Sequence, residues 1–207
     1  MKLLSHFSLP LILTATLAGC NSSKPDEQLK LALNNGLADE KPLCVELPSG
    51  ASFERVQLFA DSHPGSQTFK DVDAKALAPY KALESVGLIH AKGTQQEPSK
   101  SGVKNFALFE LTPEGKKYQP KPGAGKLCYG AGEVTQVIEI SDVKESSAGP
   151  KVNVTFKYRM VVKADWAKLP QIKEAFGIPE LVFQNNERGP LTLPVFKVES
   201  GWSNKPA

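Results

Sequence analysis

The strictest periodicity in the chain runs from Lys151 to Lys163. Val152, Val154, Phe156, Tyr158, Met160 and Val162 alternate with Asn153, Thr155, Lys157, Arg159, Val161 and Lys163. A period of two places one set of side chains on a buried face and the other in water, which predicts a strand of an antiparallel sheet. An earlier strand is predicted over Glu133 to Ile140, with Val134, Ile138 and Ile140 on one side and Thr135 and Glu139 on the other; Ser141 to Pro150 joins the two as a hairpin. Leu169 to Phe176 reads as a short helix, with Pro170 early and Gly177 after it. A last strand is predicted over Leu191 to Val198, where Pro194 argues for an edge position.

In the first half the apolar spacing is mostly helical. Asp26 to Asn35 predicts a helix: Leu29 and Leu33 share a face, Asp26 and Glu27 sit at the positive end, and Gly36 is placed to terminate it. Leu43 to Leu47 predicts a short strand, and Ser52 to Ala60 fits helix and strand equally well. Residues 73–86 predict a second helix, because Leu77, Tyr80 and Leu83 recur every three residues and Gly87 suits a C-terminal cap. Leu88-Ile89 begins a strand, the polar stretch Lys92 to Lys104 reads as a loop, and Asn105 to Leu111 is a further strand. Thr112-Pro113-Glu114-Gly115 predicts a turn or a short helix start. The Pro- and Gly-rich stretch 119–131 reads as a boundary between residues 26–118 and residues 119–207. The expected class is α+β, with a second part that is an antiparallel sheet with one short helix.

The segment Tyr80-Lys81-Ala82-Leu83-Glu84-Ser85-Val86-Gly87-Leu88-Ile89, followed by a hairpin ending in Phe109-Glu110-Leu111-Thr112-Pro113-Glu114-Gly115-Lys116, resembles the last helix and wing of winged-helix domains. The resemblance covers roughly residues 73–118 and implies a winged-helix-like N-terminal half. Such domains usually bind DNA. Here the would-be recognition helix offers Lys81 and Glu84 rather than a basic face, and no nucleic-acid partner is expected.

The first twenty residues follow a different logic. Met1-Lys2-Leu3-Leu4 carries one positive charge, an apolar run extends from Phe7 to Leu17, and Leu17-Ala18-Gly19-Cys20 follows. These are the three parts of a secretory signal; the run is shorter than the roughly 20 apolar residues a bilayer span needs. Leu17-Ala18-Gly19-Cys20 resembles a bacterial lipobox. That resemblance implies that residues 1–19 are a signal peptide, that the bond after Gly19 is cut, and that Cys20 becomes the acylated first residue of a lipidated tether, residues 20–25. At about 0.8 kcal/mol per buried methylene, two or three long chains hold a protein on a membrane almost permanently. Asn21 stands where Asp retains enteric lipoproteins in the inner membrane. It implies the outer membrane, facing the periplasm.

Composition agrees with a packed core: 41% of the 207 residues are hydrophobic and 23% charged, and the net charge is only +3. With Cys20 assigned to lipid, Cys44 and Cys128 remain, and an oxidising compartment favours a disulfide between them. Two free thiols and half of a metal site are the alternatives. A zinc site lacks partners, since only His63 and His90 follow the signal and neither has ligand spacing. No metal or cofactor is expected.

Candidate chemistry is sparse. Ser101-Gly102-Val103-Lys104 has the S-x-x-K spacing of penicillin-binding enzymes, but it shares residues with Lys100-Ser101-Gly102 and no S-D-N partner exists. Gly123-Ala124-Gly125-Lys126 lacks Walker spacing. Asp71 with Asp73, and Glu110 with Glu114, read as solvated surface charge. Trp166 and Trp202 read as core plugs or as an aromatic platform, and Asn153, Thr155, Lys157, Arg159 and Lys163 as a wet basic face. The leading expectation is a non-enzymatic envelope lipoprotein that binds a protein or glycan partner. A periplasmic inhibitor or immunity-type lipoprotein is one alternative. The other is an enzyme whose fold gathers His63 or His90 with carboxylates in a cleft.

Overall fold

The computed structural model describes residues 25–46, 54–60, 63, 65–100 and 102–206; Cys20, Asn21 and the whole signal-like segment lie outside the described residues. The elements in chain order are α1 (Pro25–Glu40), β1 (Pro42–Glu46), β2 (Arg55–Leu58), α2 (Gln67–Ser85), β3 (Ile89–Ser99), β4 (Gly102–Leu111), α3 (Pro113–Lys116), β5 (Lys126–Ile140), β6 (Lys151–Val162), α4 (Pro170–Phe176), β7 (Glu187–Val198) and β8 (Gly201–Ser203). Single 3-10 turns occupy Asp165–Lys168 and Glu180–Phe183.

Two antiparallel sheets result. The larger has the order β1-β5-β6-β7-β8 and the smaller β2-β4-β3. The alternation at 151–162 does what its period requires. Val152, Val154 and Phe156 are buried and lie across from Val195, Leu193 and Leu191 of β7. The larger sheet curls, and α1 lies along its hollow with Leu29, Ala32, Leu33 and Leu37 against that apolar face. A second core lies among α2, α4, β1, the first half of β5 and the smaller sheet, centred on Tyr80, Leu83, Ile89, Phe109, Leu127, Tyr129, Trp166 and Ile172.

The winged-helix expectation for the N-terminal half is not supported. The molecule is mixed helix and strand, 31% helical and 43% strand, built round the curled sheet. Helices are few in this half, α1, α2 and the one-turn α3, while β2, β3 and β4 form a sheet of their own. The polar stretch read as a loop, Lys92 to Lys104, is the outer part of two long strands, paired from Ile89↔Leu111 out to Ser99↔Gly102. This outer part is exposed on both faces, so backbone hydrogen bonds form the ladder without any apolar alternation to announce it. Moreover β1 leaves its neighbours in sequence to pair with β5.

Other departures are local. Ser52 to Ala60 contains a strand, β2, paired with β4 from Arg55↔Leu108 to Leu58↔Asn105. Gly36 does not end α1, which runs to Glu40. A Cβ at position 36 would sit 3.3 Å from Leu193 Cδ1, so the glycine lets helix and sheet approach closely. The stretch read as a boundary, 119–131, runs into β5, which starts at Lys126: a Cβ on Gly130 would collide with the carbonyl oxygen of Val161, and one on the next glycine, Gly132, would touch Leu37 and Tyr158 at 3.3 Å. Gly87 follows α2 at φ +73°, as a capping glycine should.

Candidate functional site

Cys44 and Cys128 are direct partners in the β1–β5 ladder. Their Cα atoms are 3.8 Å apart and their sulfurs 2.08 Å apart, at bonding distance. Val45 and Leu127, the next pair, are both buried in the second core, and the Cys128 N–H donates to Tyr118 O at 2.7 Å. The pair fastens the edge strand β1 to the start of β5.

Two concavities stand out among the described residues. The larger, about 1050 Å³, is an open groove between α2 and α4. Val72, Ala76, Pro79 and Ala82 form its α2 wall and Ala175 faces them from α4. These are the small residues beside the Leu77, Tyr80, Leu83 stripe of α2; because they are short, α4 does not fill the space. Lys75 and Lys81 stand on one rim and Glu174 on the other.

The smaller concavity, about 490 Å³, lies along β4 and is lined by Glu54, Lys92, Phe109, Glu110, Lys116 and Gln119, among others. Glu110 Oε2 is 3.3 Å from Lys92 Nζ and 3.6 Å from His90 Nε2. The Lys92 ammonium, through its hydrogen bond and its charge, holds the Glu110 carboxyl below the usual glutamate range. A carboxylate kept ionised in open water accepts hydrogen bonds and binds cations; it is a poor proton donor. Glu114 is likewise lowered by Lys117 and belongs to a separate surface pair.

The structure separates the remaining candidates. His63 is exposed, with Nδ1 3.1 Å from Phe59 O and its ring stacked on Phe69. His90 is exposed on β3. Neither histidine lines the two concavities. Asp71 is exposed and accepts from Gln67, as a surface acid would. Asp73 does not fit that description: it is 8% exposed. Its carboxylate accepts from Phe59 N at 2.8 and 3.0 Å and from Ala60 N at 2.8 Å, closing the end of β2 onto α2. Two backbone donors that lose water need such an acceptor, and nothing in the spacing Asp71-Val72-Asp73 signals it.

Trp166 is buried, edge-on to Tyr118 and Tyr129, and Trp202 packs half-buried against the α1 core. They lie in different cores and form no common platform. Burial raises the Tyr129 hydroxyl above its usual range. The basic face of β6 is partly neutralised, with Lys157 2.9 Å from Glu187 and Lys163 3.1 Å from Glu133. Gly102 and Lys104 sit on the exposed β3–β4 hairpin, and Ser101 lies outside the described residues. Among the described residues no group of three or more His, Cys, Asp or Glu side chains is arranged to hold a metal ion, and no helix is long and apolar enough to cross a membrane. No family model, curated protein or solved structure matches the chain.

Proposed function

We propose that the chain is a lipid-anchored protein of the bacterial cell envelope, held by Cys20 and facing the periplasm, that acts by binding a protein or glycan partner. Three things support this reading. The segment Leu17-Ala18-Gly19-Cys20 resembles a lipobox. The two cysteines that follow it, Cys44 and Cys128, are partners across the β1–β5 ladder, and a cysteine pair placed to bridge suits an exported chain. The histidines and acidic groups that hydrolytic chemistry would use do not gather in one cleft: His63 packs on Phe69, and Glu110, 3.6 Å from the exposed His90, is engaged by Lys92. The lipobox resemblance carries the most weight.

Metabolic labelling with radioactive palmitate is the direct test. The wild-type chain takes up label, Cys20→Ala does not, and density-gradient fractionation recovers the labelled protein with outer membranes. Label retained by Cys20→Ala, or two free thiols per denatured, unreduced molecule, contradicts the proposal. Crosslinking in living cells followed by mass spectrometry identifies the partner.

A further inference from the structure

The exposed apolar surface is concentrated at one end of the molecule. Of the ten large apolar side chains that stand exposed among the described residues, four lie between positions 137 and 143: Val137, Ile138, Ile140 and Val143, at 37–57% exposure. They occupy the far end of the β5–β6 hairpin. β1 covers β5 only from Lys126 to Ala131, so it does not reach them. Val137 pairs with Phe156 and Ile140 with Val154, and both partners are buried under α1. Directly opposed residues of an antiparallel pair share a face, so Val137 and Ile140 continue the covered apolar face out into solvent.

The direction of α1 fixes which end this is. Asn34 Oδ1 accepts from Val134 N at 2.8 Å, and Leu37 lies over Gly132. Helix numbers therefore fall as β5 numbers rise. On the other side of the trough Gln28 lies against Gly201, next to Lys197, whose N–H donates to Pro150 O at the hairpin's base. Both sets of contacts point the start of α1 at the β5–β6 hairpin end. From Pro25 the chain has five residues back to Cys20, a reach of at most about 18 Å.

We infer that the tip of the β5–β6 hairpin is a second membrane contact. With Cys20 lipidated, Val137, Ile138, Ile140 and Val143 rest in the interfacial layer of the leaflet that holds the anchor. The inference builds on the lipidation proposed above. Glu139 and Asp142 fall between these apolar residues and Lys144 and Glu145 follow them, so the tip carries three negative charges and one positive. The contact is apolar and needs no anionic lipid. It also orients the molecule: the Arg159–Val162 end of β6 stands about 30 Å further from the bilayer, at roughly 3.3 Å per residue.

The test places a photoreactive diazirine amino acid at Ile138, at Val143 or at Leu181 in the full-length protein. Leu181 is 54% exposed and sits on the 3-10 turn beside the opposite end of β6. Intact envelopes from palmitate-labelled cells are irradiated and the adducts weighed. Phospholipid adducts at 138 and 143 several-fold above those at 181, in palmitate-labelled protein, support the contact. Palmitate-labelled protein whose 138 and 143 probes capture no more lipid than 181, or capture a polypeptide or a second copy instead, overturns it and leaves the anchor standing. Protein without palmitate overturns both.

Discussion

Asp73 and Glu110 show two fates of a carboxylate in this fold. Asp73 is surrounded by protein and works as a clamp on Phe59 N and Ala60 N. Asp73→Ala strands both donors and is expected to lower stability by about 1–3 kcal/mol in urea denaturation, with Asp73→Asn costing less. Glu110 faces water beside Lys92 and His90. Its folded-state pKa lies below the ordinary 4.5. The favourable interaction is therefore complete above 4.5 and is lost as pH falls through the depressed value. A carboxyl-carbon NMR titration should place the Glu110 midpoint below 4.5, and Lys92→Ala should move it upward. An unchanged midpoint would mean that the lysine does not hold the carboxylate.

At the scale of elements, α1 and β5 are set by what they must approach. Gly36 lies where helix meets β7, with Leu193 Cδ1 3.3 Å and Asn204 Cβ 3.5 Å from a would-be Cβ. Gly36→Ala gains about 1 kcal/mol of helix propensity and loses a similar amount to crowding, so its melting temperature should stay near the wild type. Gly36→Leu pushes into Leu193 and should cost about 1–3 kcal/mol by the same measurement. These elements also mark how far the chain could be read. β6 was legible because one of its faces is buried and the other wet, and that asymmetry writes itself into alternate residues. α2 was legible only from residue 73, since Gln67 to Val72 carry little apolar periodicity. The outer part of the β3–β4 ladder was not legible because both its faces are wet, whereas its inner end was. The start of β5 looked like a boundary because Gly130 serves close contact with Val161 rather than a turn. At the candidate site, the pairing of Cys44 with Cys128 was legible from their number and context. The α2–α4 groove was not, because it is made by side chains too short to meet across a gap that only the packing of α4 creates.

The whole molecule is closed by a link between residues 84 positions apart. In the chain-entropy account a loop of that length restricts the unfolded ensemble by about 4–5 kcal/mol. A Cys44→Ala/Cys128→Ala double variant should unfold at markedly lower urea concentration than the wild type, and adding reductant should shift the wild type toward it. If reductant leaves the wild-type midpoint unmoved, the link contributes little to stability. The curled sheet makes a different contribution. α1 lies in its trough, held at Gln28 by β8, at Asn34 and Leu37 by β5, and at Asp39 by Asn204 and Lys205 after β8. A tug transmitted through residue 25 therefore runs along the helix axis and strains those contacts simultaneously, in shear. It does not peel them off one after another. Such seating gives the body mechanical toughness toward pulling from its own amino terminus, whereas force applied at the carboxyl end meets the three-residue β8 first and unzips it.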